Sequence, residues 1–111
     1  MKISRLHDTN SLIDKKKLGE QFKDGEDYTT IYSIIEYPKA LGLDNLTIVF
    51  PTKVAYEEAI KIAIDLLKNG TPVPAIDILI ASIAIEKDIG LITNDKHFNY
   101  IKSVKPNLKI I

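Results

Sequence analysis

Four acids of this chain, Asp8, Glu36, Asp77 and Asp95, lie far apart in sequence, yet each adjoins a segment that could carry it to a common place. Asp8 follows "KISRLH", Glu36 follows "TIYSII" and Asp95 follows "IGLIT", runs read as strands, so each of the three sits where a parallel strand ends and a helix begins. Open parallel sheets bind ligands at the C-terminal edge of their strands, and acids so placed can meet there. Asp77 has no strand before it and must be brought in by its own helix; Ala81 and Ala84, at i+4 and i+7, keep that face small enough for close approach. Converging carboxylates repel one another unless a cation or shared protons lie between them. An all-oxygen set selects a hard divalent ion, Mg²⁺ or Mn²⁺. Taken singly, each acid has a plainer reading, because Asp is a preferred N-cap and an acid in a first turn complements the helix dipole. Caps, however, have no need to converge on one sheet edge.

The elements that must position these acids follow from periodicity. "TKVAYEEAIKIAIDLLKNG" repeats apolar residues at Tyr56, Ala59, Ile60, Ala63, Leu66 and Leu67, begins at the cap candidate Thr52 and stops at Gly70, which predicts an amphipathic helix. Two prolines in "TPVPAI" break the chain before "DILIASIAIEKD", a helix opened by Asp77 and apolar on nearly every face, as one lying against a sheet would be. Then come the short buried strand "IGLIT", Ile89 to Thr93, and the helix "DKHFNYIKSV", with Asp95 at its start and Phe98 and Ile101 on its apolar side. After Pro106, "LKII" reads as a final strand that closes a right-handed parallel crossover. Upstream, "TIYSII" (Thr30 to Ile35) and "LTIVF" (Leu46 to Phe50) read as strands, with one or two helical turns in "EYPKALGL" between them. The N-terminal "KISRLH" is a further strand, and "SLIDKKKLGEQFKDGED" a short helix followed by a loop. Strands interleaved with helices predict one α/β domain over residues 1–111, its mainly parallel sheet covered on both faces.

Composition narrows the function classes. The 111 residues include 15 basic and 15 acidic ones that cancel, so no net field draws the chain to a polyanion or a membrane, and any such binding needs a local site. With no Cys there is no disulfide, thiolate zinc site or cysteine nucleophile, which is consistent with a reducing interior. The start "MKISRLHDTN" has no apolar signal region and no stretch approaches a membrane span, so the expectation is a soluble, cytoplasmic protein.

At this point the residues match a family. "DTNSLID", "SIIEYPKAL", "PAIDILIASIAIEKDIGLITNDKHFNYI" and the final "LKII" together resemble the PIN domain, the fold of metal-dependent ribonucleases that includes the VapC toxins of toxin–antitoxin pairs. The resemblance covers almost the whole chain. Its most specific part runs from Asp77 to Phe98, a D-x-L-I-A helix followed by a strand and T-x-D-x-x-F. It implies that Asp8, Glu36, Asp77 and Asp95 are the four catalytic, metal-binding acids. Thr93 would then be the hydroxyl two residues before the last acid, and Asn10 the polar residue of the D-T-N turn. The implied fold is a three-layer α/β/α sandwich around a mainly parallel sheet of about five strands. The implied activity is endoribonuclease cleavage of RNA phosphodiesters by water activated on one or two Mg²⁺ or Mn²⁺ ions, leaving a 5′-phosphate and a 3′-hydroxyl. A VapB-like antitoxin and a homodimer would be the partners. Two features depart from the pattern: Ser4, Arg5 and His7 make the first strand unusually polar, and the segment from Asp8 to Glu36 is shorter than is usual in the toxins.

Other residues have weaker claims. His97 is expected to face solvent, because two positions along a helix turn a side chain nearly to the opposite face from Asp95. His7 should face away from Asp8. Lys15, Lys16 and Lys17, like Lys96, Lys102 and Lys105, read as solvated helix faces. Phe98 reads as a packing residue, while Asp14, Asp24, Asp27, Asp65 and Asp88 read as surface or cap residues. The competing functions are a catalytically inactive PIN-like module that binds RNA or serves in assembly, and a phosphoacceptor domain. The latter calls for adjacent acids after the first strand and a lysine directly after the last pocket strand, which "LHDTN" and "LITND" do not supply.

Overall fold

The structure is a computed structural model and describes residues 3–111. Lys2, at the start of the first expected strand, lies outside the described residues. Strands β1 (Arg5–His7), β2 (Asp27–Thr30), β3 (Thr47–Val49) and β4 (Gly90–Ile92) form one all-parallel sheet in the order β3-β2-β1-β4. The first strand in sequence is therefore central. The sheet has four strands rather than the expected five, because "LKII" contributes only a parallel bridge between Ile110 and Leu91. The N–H of Leu108 is taken by a turn to the Lys105 carbonyl (3.1 Å), so pairing with β4 begins only at Lys109. A Cβ at Gly90 would meet the exposed Ile111 side chain, which would have to turn away to make room.

Helices α1 (Thr9–Leu18), α2 (Ile31–Glu36), α3 (Lys53–Lys68), α4 (Ala75–Lys87) and α5 (His97–Val104) connect the strands, with a 3₁₀ turn at Pro38–Gly42. Thr52 caps α3 by accepting from the Ala55 N–H, as its position predicts. The expected strand over Thr30–Ile35 is instead the helix α2. Thr30 ends β2 and its hydroxyl accepts from the Ser33 N–H at 3.2 Å, which starts a helix in spite of the β-branched residues that follow, and Pro38 stops it. The register Leu6↔Tyr28 and His7↔Thr29 had already placed the strand a few residues earlier.

Alternation along the strands builds a core on each face. Leu6 and Leu91 join Ile62, Ile80, Ile83 and Phe98 from the helices α3, α4 and α5 on one side. Leu12, Phe22, Ile34 and Ala40 fill the other. Helix α4 buries Ile78, Ile80, Ala81, Ser82, Ile83 and Ala84, which accounts for its lack of a polar face.

The polar residues of the central strand have a partner that sequence reading missed. Asp27 is not a surface residue but fully buried, because β2 pairs with β1 and sets it beside Arg5 and His7. Arg5 Nε donates to Asp27 Oδ1 at 2.9 Å, and His7 Nε2 lies 2.8 Å from the same oxygen. The Lys23 N–H donates to Oδ2 at 2.7 Å. The other ring nitrogen of His7 meets the Ser11 hydroxyl at 2.8 Å, so a neutral imidazole satisfies both neighbours, donating to Asp27 and accepting from Ser11. Burial lowers the His7 pKa, with the bond to Asp27 opposing. Burial would raise Asp27, but its bonds from Arg5, His7 and Lys23 outweigh that and hold the carboxyl well below the usual range. Removing one member of a buried ionic cluster leaves the others uncompensated. Asp27→Asn is therefore expected to lower the unfolding free energy by about 3 kcal/mol, measured by urea titration near neutral pH.

Candidate active site

The C-terminal edge of the sheet gathers the four acids. Asp8 follows β1 directly, and its N–H extends the ladder to the Ile92 carbonyl at 3.3 Å before the chain turns into α1. As the N-cap of α1, Asp8 accepts from the Ser11 N–H at 2.8 Å through Oδ1, and through Oδ2 it accepts the hydroxyl of Thr93, just past β4. The Thr93 hydroxyl oxygen in turn accepts from the Asp95 N–H at 2.9 Å. Thr93 thus fixes two acids at once.

Asp77 lies in the first turn of α4, two residues inside its start at Ala75 rather than opening it, because Pro74 serves as N-cap without a side-chain bond. Glu36 reaches the site from the C-terminal end of α2, not from the start of a helix after a strand, and accepts from the Thr9 hydroxyl at 2.6 Å. A cavity of about 150 Å³ is lined by Asp8, Thr9, Asn10, Glu36, Asp77 and Asp95, with Ile80 as its apolar wall. All four expected acids and Asn10 meet there, while Thr93 acts from behind Asp8.

His97 does not face solvent as expected. Its Nδ1 lies 3.0 Å from Asp77 Oδ2 and 3.3 Å from Asp95 Oδ1. The helical-wheel argument fails because α5 begins at His97 itself. Asp95 belongs to the turn before it and accepts the His97 N–H at 2.9 Å through Oδ1, which brings the two side chains to one side. The spacing of Asp95 and His97 across a helix start was the available signal.

Asp8 is 3% exposed. Burial raises its carboxyl above the usual range, the Asp95 charge adds to this, and the bonds from Thr93 and Ser11 offset only part. Asp77 is likewise raised, first by burial and then by the charges of Asp95 and Glu36, with His97 opposing. Among the described residues no lysine or arginine forms an ion pair with any of the four acids. Ligand atoms of Asp77, Asp95 and His97 all lie within 4.8 Å of one another. Crowded carboxylates that no described lysine or arginine neutralises suit a divalent cation.

Of the lysines singled out in the sequence, Lys15, Lys102 and Lys105 make contacts within the fold. Lys15 lies 4.9 Å above the Phe22 ring and 3.7 Å from Glu20, Lys102 donates to the Pro106 and Leu108 carbonyls, and Lys105 pairs with Glu58. Phe98 is buried in the core, as its spacing predicts. A larger cavity of about 240 Å³ between α3 and α4 is lined by Tyr56, Ala59, Ile60, Ala63, Ile78 and Leu79 and contains no acid or imidazole.

A carboxyl whose folded pKa is raised binds its proton more readily folded than unfolded, so its contribution to stability grows as pH falls and is lost as pH rises through the folded value. At neutral pH the ionised Asp77 therefore costs stability. Asp77→Asn is expected to raise the unfolding free energy by roughly 1 kcal/mol at about pH 7.5, and the advantage over wild type should shrink at about pH 5, as urea titrations at the two values would reveal.

No protein-family model and no curated protein matches this sequence. Solved structures do match in shape along nearly the whole chain. The DNA-bound VapBC of Salmonella typhimurium superposes with a TM-score of 0.80 at 19% identity, covering 98% of this chain and 97% of that one. VapBC-1 of nontypeable Haemophilus influenzae gives 0.75 at 19% identity, with coverage of 98% and 97%. VapBC-5 of Mycobacterium tuberculosis, a member of the VapBC family of toxin–antitoxin systems, gives 0.73 at 18% identity and 97% coverage of both chains. The chain therefore has the PIN-like fold that its motifs resemble, the fold of the VapC component of such complexes.

Proposed function

We propose that this protein is a metal-dependent endoribonuclease, the toxin of a type II toxin–antitoxin pair held inactive by a small VapB-like antitoxin. The observation that carries the reading is the convergence of Asp8, Glu36, Asp77 and Asp95, from four separate parts of the fold, on one cavity where, among the described residues, no lysine or arginine pairs with them. The likeness to VapBC complexes supports the toxin and the antitoxin partner.

Asp8, Asp77 and Asp95 are the residues proposed to hold one or two Mg²⁺ or Mn²⁺ ions, with Glu36 as a further ligand or as the base that orients water. Bound there, such ions activate water and stabilise charge on the phosphate and the leaving oxygen. The side chains have complementary tasks. Asp8 is clamped by Ser11 and Thr93, so it presents a fixed carboxylate. Glu36 is exposed at the end of a short helix and tied only through Thr9, so it can follow a substrate or a water molecule. Asn10, exposed at the cavity rim, can donate to a phosphate oxygen. No serine or histidine nucleophile is needed.

The test is cleavage of a fluorescent single-stranded RNA by purified protein in Mg²⁺, Mn²⁺ or EDTA. Cleavage is expected with metal and not with EDTA. Asp77→Asn and Asp95→Asn, folded by circular dichroism, should each lower the rate on the order of a hundredfold, the scale on which loss of one charge-stabilising group acts. Metal-independent cleavage, or full activity in both variants, would remove the acids from the mechanism. Metal binding without cleavage would favour an inactive RNA-binding or assembly module.

A further inference from the structure

The imidazole of His97 has no task in the reading above, yet it stands among the acids. Its Nδ1 is 3.0 Å from Asp77 Oδ2 and 3.3 Å from Asp95 Oδ1. Two neighbouring ligands of an octahedral ion, each about 2.1 Å from it, are separated by about 3.0 Å. His97 Nδ1 is thus at ligand spacing from an oxygen of each acid, and the ligand atoms of all three side chains lie within 4.8 Å of one another. The ring is also held in place: the His97 N–H bonds to Asp95, and the next residue, Phe98, is anchored in the core at 1% exposure.

We infer that His97 is a nitrogen ligand of the metal centre and, with Asp77 and Asp95, makes a mixed oxygen and nitrogen set that favours Mn²⁺ or a later first-row ion over Mg²⁺. This rests on the acids forming a metal site, as proposed above. Carboxylates alone discriminate poorly between Mg²⁺ and Mn²⁺, because both are hard oxygen-seeking ions. Imidazole suits transition ions, and Mg²⁺ keeps oxygen ligands and water. A nitrogen donor is therefore the feature of this site that sets its metal preference. The chain has two histidines, and His7 is 1% exposed with both ring nitrogens engaged by Asp27 and Ser11. Any imidazole nitrogen on a bound ion must come from His97.

The experiment is electron spin echo envelope modulation of Mn²⁺ added to the tag-free protein, with calorimetric titration of Mn²⁺ and Mg²⁺ into wild type, His97→Asn and Asp77→Asn. The inference expects nitrogen hyperfine coupling in wild type that is absent in His97→Asn. It also expects His97→Asn to lose on the order of tenfold in Mn²⁺ affinity, a scale typical of lost metal-site contacts, with little change for Mg²⁺. Mn²⁺ that binds wild type and is weakened by Asp77→Asn, but shows no nitrogen coupling, would overturn the role of His97 and leave the carboxylate site standing. So would a His97→Asn variant that binds both ions more tightly by the same factor, because His97 would then merely occupy the space between two acids. If wild type binds no Mn²⁺, or Asp77→Asn binds it unchanged, the metal-site reading itself fails and this inference fails with it.

Discussion

Strand β1 pairs in parallel register with β2 on one side and β4 on the other, so that His7 stands level with both Thr29 and Ile92. Strands β1 and β4 consequently end together, with β2 running one residue further to Thr30, and the residues just beyond them, Asp8 after β1 and Thr93 after β4, emerge side by side. Register is strongly specified where both faces of a sheet are buried, since a slip by one residue would carry Leu6 out of its core and bring the ionic residues into it. The buried Arg5, His7 and Asp27 cluster adds a second constraint, because it is satisfied only when Arg5 lies opposite Asp27. The same register that completes this cluster delivers Asp8 to the edge. A polar central strand, a poor choice for packing alone, thus serves as a locator whose energetic cost is offset by internal bonds.

The site itself works against stability. Asp8 and Asp77 are both held where burial and neighbouring acids disfavour their charged forms. A fold tolerates such a concentration of charge only if the rest of the structure over-determines it, and here several elements do so. The apolar helix α4 delivers Asp77 while burying six residues, and the parallel ladder delivers Asp8 and Thr93. Stability spent in this way is what a preorganised polar site requires.

Much of this was legible in the sequence, for identifiable reasons. Helix α3 is strongly periodic, while α4 and strand β4 are apolar runs bounded by Pro, Gly or polar residues, and these features place all three. Asp77 and Asp95 stand beside these elements and Asp8 directly after the polar strand β1, so their convergence could be read from topology. Glu36 reached the same cavity by a different route, because the cap at Thr30 converted a β-branched run into a helix. Single-residue capping competes with propensity and is hard to weigh without knowing where the strand stops. Asp27 and His97 were misplaced for a shared reason: each is defined by a partner distant in sequence. Asp27 meets Arg5 and His7 across the sheet, and His97 meets Asp77 from another helix. Helical periodicity could not have found the second, since the helix begins only at His97.

Differences in how the four acids are held bear on how their tasks divide. Asp8 has every backbone and side-chain polar atom engaged: its N–H with Ile92, its carbonyl with Leu12, and its two carboxylate oxygens with Ser11 and Thr93. It cannot retreat from the cavity when its charge is unfavourable, because moving the side chain would undo the cap of α1 and the link to β4 together. Glu36 has one bond, to Thr9, and is exposed to solvent. Asp77 and Asp95 lie between these extremes, half-buried and joined through His97. A carboxylate that cannot move is suited to setting the position of whatever binds, whereas one that can move is suited to exchanging partners during a reaction. That gradient, from the locked Asp8 to the tethered Glu36, follows from the register of β1 at one end and the short capped helix α2 at the other, and it gives a structural reason why two acids of like charge need not share one role.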